Sequence, residues 1–209
     1  MPAAHMEGNS PMINIILLGL VSFFADISAE MVYPLIPLYL TGAFGATPAL
    51  VGVIEGLAES TASLLKVYSG YLTDKYHKKK PIAFIGYAAG LVYKAALLLS
   101  SSWGGVLIAR VIDRLGKGIR TSPRDVMVSE SAQTDGMGKA FGVHKALDMA
   151  GSAIGILLAW FLIRNAAAGG TDYQRVFGIS MIPALLSLMM FFFIREKKTP
   201  RAARPRERF

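Results

Sequence analysis

The chain has no cysteine in 209 residues. Disulfides, thiolate metal sites and thiol nucleophiles are excluded, and the redox compartment is left open. Charge is scarce, since Asp, Glu, Lys and Arg make up only 17% of the sequence. No His-Glu-x-x-His pair occurs, so zinc protease chemistry of that kind has no support. Ser152 and His144 lie eight residues apart on one predicted helix, about two turns, a poor geometry for a nucleophile and its base. A P-loop is also missing, so ATP drive within this chain is not expected. No basic n-region precedes the first apolar run, and no signal peptide is expected. The reading therefore expects no enzyme, no cofactor and no metal.

Apolar surface is abundant. Hydrophobic residues make up 53% of the chain, and the mean hydropathy is +0.45. Several runs reach the roughly 20 residues that cross a hydrocarbon core of about 30 Å. Inside a bilayer every backbone group must be satisfied within the protein, which leaves helices or a closed barrel. The runs are long rather than alternating ten-residue segments, so helices are expected. Six spans are predicted, over about 13–40, 48–73, 81–101, 104–120, 139–164 and 173–194. Residues 1–12 are read as an N-terminal segment, in which His5 and Met6 resemble a cloning scar. Residues 13–194 form the transmembrane domain, and 195–209 a basic tail.

The net charge of +8 does not point to nucleic acid, because much of the excess sits beside the spans. "DKYHKKK" after span two holds four Lys, and the tail "REKKTPRAARPRERF" holds seven Lys or Arg. "TGAFGATPAL" and "SSSWGG" hold none. The positive-inside rule then places both termini in the cytoplasm of a cell (inner) membrane protein. The Arg- and Pro-rich tail is expected to be disordered or to lie on anionic lipid headgroups.

Within the spans, ionisable residues are costly, at about 2.5–3.5 kcal/mol for a central Arg, Lys or Asp. Span one has Asp26 and Glu30, and span two has Glu55, Glu59 and Lys66. Span three has Lys94, whose depth allows either snorkelling or pairing. Span four has Arg110, Asp113, Arg114 and Lys117. At about 100° per residue the charges of span two form a narrow stripe, and the cations of span four share one side. Such stripes must face protein, water or a ligand. Asp26, Glu30, Glu55, Glu59, Lys66, Arg110, Asp113 and Arg114 are the candidates for a substrate or proton pathway. Lys117, Arg120 and Arg124 are expected at or beyond the cytoplasmic interface, with Pro123 ending the helix there. Small residues mark close packing, above all Gly52, Gly56, Gly151 and Gly155, with a GxxxG step at 151–155.

"GYLTDKYHKKK" resembles motif A of the major facilitator superfamily, in which Gly-x-Leu-x-Asp precedes a basic cluster. Gly70, Leu72, Asp74, Lys75, Lys78 and Lys79 match, and His77 stands where the family has Gly. "RVIDR" resembles the motif B arginine at Arg110. "GSAIG" resembles the Gly-rich motif C of efflux members, with Ile156 in place of its usual Pro. "FFADISAEMVYPLIPLYL", "VIEGLAESTASLLKVYSGYLTDK" and "DRLGKGIRTSPRD" are similar to a bacterial branch of permeases in this superfamily.

The resemblance implies an all-α, polytopic six-helix half of a major-facilitator-type fold, with a 3+3 inverted repeat. Spans one and four would line the cavity, two and five would meet another half, and three and six would face lipid. It implies a secondary transporter working by alternating access, and the interior charges lead to a small polar or charged solute with protons as a second cargo. Gly70, Asp74, Lys78, Lys79 and Arg120 would form the cytoplasmic gate. Because such permeases have two halves, a C2 homodimer packed on Gly52, Gly56, Gly151 and Gly155, a partner half and a truncated fragment all remain open. A non-transporting membrane module is the alternative. Partners are thus a small-molecule substrate, protons, a second half and membrane lipids.

Overall fold

The computed structural model describes residues 11–76, 79–132, 136–164 and 172–194. These form seven α-helices and, among the described residues, no strand. They are α1 (Pro11–Glu30), α2 (Ile36–Phe44), α3 (Pro48–Tyr76), α4 (Lys79–Leu98), α5 (Trp103–Ser131), α6 (Met137–Arg164) and α7 (Tyr173–Phe192). The stretch Met12–Phe44 and helices α4, α6 and α7 are long and apolar enough to cross a membrane by themselves. Helices α3 and α5 are longer than α4 and α7, at 29 residues each, but carry the interior charges.

Span one is not continuous. α1 stops at Glu30, a 3-10 turn covers Tyr33–Leu35, and α2 resumes at Ile36. The cause is local. Pro34 and Pro37 have no N–H to donate, and each ring crowds the preceding turn. α2 then ends at Gly45, whose φ of 61° is left-handed. The Gly45 N–H donates to Thr41 O at 3.1 Å and the Ala46 N–H to Leu40 O at 3.0 Å, closing the free carbonyls. Two later helices, α5 and α7, start on side-chain caps. Ser102 accepts from the Gly105 N–H at 3.3 Å, and Asp172 accepts from the Arg175 N–H at 3.0 Å.

Span four corrects a second expectation. α5 passes through Pro123 and continues to Ser131. A proline inside a helix costs about 3 kcal/mol, and packing beyond it offsets that. Met127 and Val128 are buried in one core cluster with Ala83, Tyr87 and Phe191. The Arg120 and Arg124 side chains, 12% and 17% exposed, consequently pack among the helices.

Apart from α4 and α5, helices adjacent in sequence touch little. α5 packs on α3 and α4, α1 packs on α6 and α7, and α4 with α7 joins the two sets. Helix α3 has one main partner, α5, and α6 has one, α1. Glycine permits the closest approaches. A Cβ on Gly86 would meet Gly116 O at 2.7 Å, and one on Gly116 would meet Gly86 O at 2.7 Å. Lys94 neither snorkels nor forms an ion pair among the described residues. It is buried, its Nζ donates to Gly90 O at 3.0 Å and it stands 5.2 Å from the Tyr93 ring centroid.

Candidate functional site

The interior charges meet between α1, α3, α5 and α6. Two adjoining cavities of about 350 and 380 Å³ share Asp26, Glu30, Glu59, Lys117 and Arg120 in their walls. The first extends to Tyr33, Arg110, Asp113 and Arg114. The second extends to Lys66, Arg124, Lys145 and Asp148.

Arg110 is the anchor of the first. Its side chain is 1% exposed. Glu55 of α3 grips it in a fork, Nε to Oε1 at 2.8 Å and Nη2 to Oε2 at 2.5 Å. Asp113 accepts from Nη1 at 3.3 Å. A planar guanidinium facing a carboxylate in this way forms two parallel charge-assisted bonds. One turn on, Arg114 faces Glu59 at 3.4 Å and Asp113 at 3.8 Å. Tyr33, from the broken segment between α1 and α2, lies under both arginines at 5.1 and 5.2 Å.

In the second layer the contacts are longer. Arg120 reaches Asp26 at 3.7 Å and covers the Tyr87 ring at 4.6 Å. Arg124 binds its neighbour Asp125 at 2.9 Å and stands 3.9 Å from Asp148. Lys145 donates to Asp148 at 2.7 Å. Behind them Ser22 contacts His144 Nε2 at 3.1 Å and the Tyr87 hydroxyl at 3.2 Å, all buried. Glu30, Lys66 and Lys117 line the cavities and make no side-chain ion pair or hydrogen bond among the described residues.

The structure thus gathers all eight proposed pathway residues around one region, six of them in ion pairs. The gate residues divide. A Cβ on Gly70 would meet Ser122 Oγ at 3.2 Å, so Gly70 marks the α3–α5 contact. Lys79 is buried and paired with Glu130 of α5. The neighbouring Lys80 donates to Ile194 O at 2.5 Å, fastening α4 to the end of α7. Arg120 points to Asp26. Lys78 and the side chain of Asp74 lie outside the described residues.

The four packing glycines also divide, and two correct the expectation. Gly151 and Gly155 do not present a free face. A Cβ on Gly155 would meet Ile27 O at 2.6 Å, and one on Gly151 would strike Phe23 O. They seat α6 on α1 of the same chain, because only bare backbone fits there. Gly52 and Gly56 have nothing within 4 Å of such a Cβ and face outward.

Tyr33, Tyr87, His144 and Asp148 are not among the predicted site residues. For Asp148 a signal existed, since it is an acid within an apolar run. Tyr33 and Tyr87 had none, because a tyrosine in a span reads as packing.

A family model described as Major Facilitator Superfamily matches residues 18–209. An uncharacterised MFS-type transporter of Methanocaldococcus jannaschii is 36% identical over 187 residues, covering 90% of this chain and 46% of that protein. The fosmidomycin resistance protein of Escherichia coli is 26% identical over 181 residues, covering 84% of this chain and 43% of that protein. A crystallised peptide transporter in complex with alafosfalin superposes with a TM-score of 0.71 at 17% identity, covering 85% of this chain and 37% of that one. The last likeness concerns fold alone. The chain spans about half the length of the curated relatives it matches.

Proposed function

The chain belongs to the Major Facilitator Superfamily, and from that premise we propose that it is one six-helix half of a proton-coupled carrier for a small polar or charged solute. The observation that carries this reading is the pair of adjoining cavities walled by charges from α1, α3, α5 and α6. A stability device alone would close its charges against one another. Here Lys66 and Lys117 face the space with no ion-pair partner among the described residues. The Arg110 and Arg114 charges are already met by Glu55, Asp113 and Glu59. An anionic group on the solute is therefore received by the lysines, and the two arginines hold the walls in place.

The second half docks on the outward faces of α3 and α6. Val53, Leu57 and Leu64 are exposed on α3, and Leu157, Trp160 and Phe161 on α6. Gly52 and Gly56 leave room for a close helix there. A second copy and a partner half are both compatible with this face. Both termini lie on the cytoplasmic side, and Gly70, Asp74, Lys78, Lys79 and Arg120 form the gate region on that side.

The test is transport by the chain in proteoliposomes that trap a pH dye. Small carboxylates and inorganic phosphate are offered across an imposed pH gradient. Solute-dependent proton movement, weakened at least tenfold by Lys117→Ala, is the expected result. Solute flux that ignores the pH gradient removes the coupling, and no flux of any anion removes the substrate class.

A further inference from the structure

We infer that Asp26 and Asp148 hold one proton between them, across the α1–α6 contact. This deepens the carrier reading above and rests on it only for what the proton drives.

The register of the two helices brings the acids together. Ser22 on α1 meets His144 on α6 at 3.1 Å. Four residues further along each helix stand Asp26 and Asp148. Both carboxyl groups line the same cavity, one turn beyond the Ser22–His144 contact. The Asp148 side chain is only 9% exposed. Its Oδ2 accepts from Lys145, but its Oδ1 is fully buried with no hydrogen-bond partner. Arg124 Nη1, at 3.9 Å, is too far to donate.

Two ionised carboxylates cannot satisfy each other, because both are acceptors only. A single proton turns one into a donor and supplies the missing bond to Asp148 Oδ1. Asp26 is the acid that carries it. Asp26 has one ion-pair partner among the described residues, Arg120 at 3.7 Å, whereas Asp148 has Lys145 and Arg124 to hold its negative charge.

Charged groups reach this level from four helices. α5 contributes Arg120, Arg124 and Asp125 at this level, and α6 contributes Lys145 and the Ser22-bonded His144. From α3, Glu59 and Lys66 line the same cavity, as do Glu30 of α1 and Lys117 of α5. α4 brings Tyr87, beneath Arg120. α7 has no ionisable residue between Arg175 and its end at Phe192. The set is balanced when both acids are ionised, and the proton leaves Arg120, Arg124 and Lys145 one positive charge in excess of Asp125 and Asp148. Both acids line the cavity of about 380 Å³, so water delivers and removes the proton. On its departure two anions face each other across helices already in backbone contact at Gly151, and α1 is pushed from α6.

Infrared difference spectroscopy on the 209-residue chain in lipid nanodiscs reads the proton directly. Between neutral and alkaline pH, a carboxylic-acid C=O band should disappear, and in protein labelled with 13C-carboxyl aspartate it should shift to lower frequency. Asp26→Asn and Asp148→Asn should each abolish it, while Asp172→Asn, at the surface cap of α7, should keep it. An asparagine at 26 still donates to Asp148, so the contact survives without the proton. A parent with no isotope-sensitive acid band overturns the inference, and so does a band that persists in either Asn variant. The labelled parent decides the matter even if a variant fails to fold. Because no transport is measured, pH-insensitive flux with the band present removes the coupling and leaves the site. Proton-driven flux without the band does the reverse.

Discussion

Two ladders of side chains cross this bundle, and they are built from opposite pairings. On the α3–α5 side, Glu55 meets Arg110 and, four residues on, Glu59 faces Arg114. On the α1–α6 side, Ser22 meets His144 and, four residues on, Asp26 and Asp148 line one cavity. Each ladder keeps a constant offset, which is what two helices running the same way produce at one turn per step. The first sets acid against base and locks at 2.5 Å. The second sets acid against acid, with its arginines held off at 3.7 and 3.9 Å. Alike in geometry, the ladders differ in chemistry. One is suited to hold still, the other to respond to protons.

Breaking the locked ladder should have the largest effect. Glu55→Ala strands Arg110, which is 1% exposed, with only the longer Asp113 contact. Removing one partner of a buried ion pair costs about 3–5 kcal/mol. A fall in thermal unfolding temperature of the detergent-solubilised protein checks this, and an unchanged midpoint would show that water already reaches Arg110.

A smaller effect should come from wedging the second ladder apart. In Gly155→Leu the first added carbon would already meet Ile27 O at 2.6 Å and Glu30 Cβ at 3.0 Å. Overpacking of this kind costs about 1–3 kcal/mol. The chain has no native cysteine, so Ser22→Cys with His144→Cys reports the separation of α1 and α6 by disulfide formation. Crosslinking should slow when Gly155→Leu is added. Equal crosslinking would mean that α6 seats on α1 by other contacts.

The smallest changes mark where the comparison ends. Glu59 is 63% exposed, so Glu59→Ala should cost less than about 1 kcal/mol. Gly52 has open space around it, and Gly52→Leu should leave stability within about 0.5 kcal/mol. Native mass spectrometry in lipid separates fold from assembly for that variant. Loss of a dimer at unchanged stability identifies the α3 face as its seat.

Much of the architecture was legible before any coordinates. Apolar runs long enough to span a bilayer have few alternatives to helices, because unsatisfied backbone is so costly in lipid. The interior acids and bases stood out for the same reason, since their cost in a span marks them. Helix ends were less legible. Pro34 and Pro37 split span one, while Pro123 did not end span four. A proline sets a local cost, and whether the chain bends depends on what packs beyond it, here Met127 and Val128 in the core.

What the sequence by itself determined is therefore the class of the molecule, its helices and the identity of its costly residues. These follow from the solvent and from each residue's own chemistry. Only the tertiary structure decided who meets whom. Gly151 and Gly155 advertised a close helix contact, and the fold gave it to α1 rather than to a second copy. The stripe on α5 advertised its cations alone. That Arg110 finds a carboxylate fork while Asp148 finds another acid depends on the offsets between helices packed side by side. An offset is a property of two surfaces together, and neither helix carries it alone.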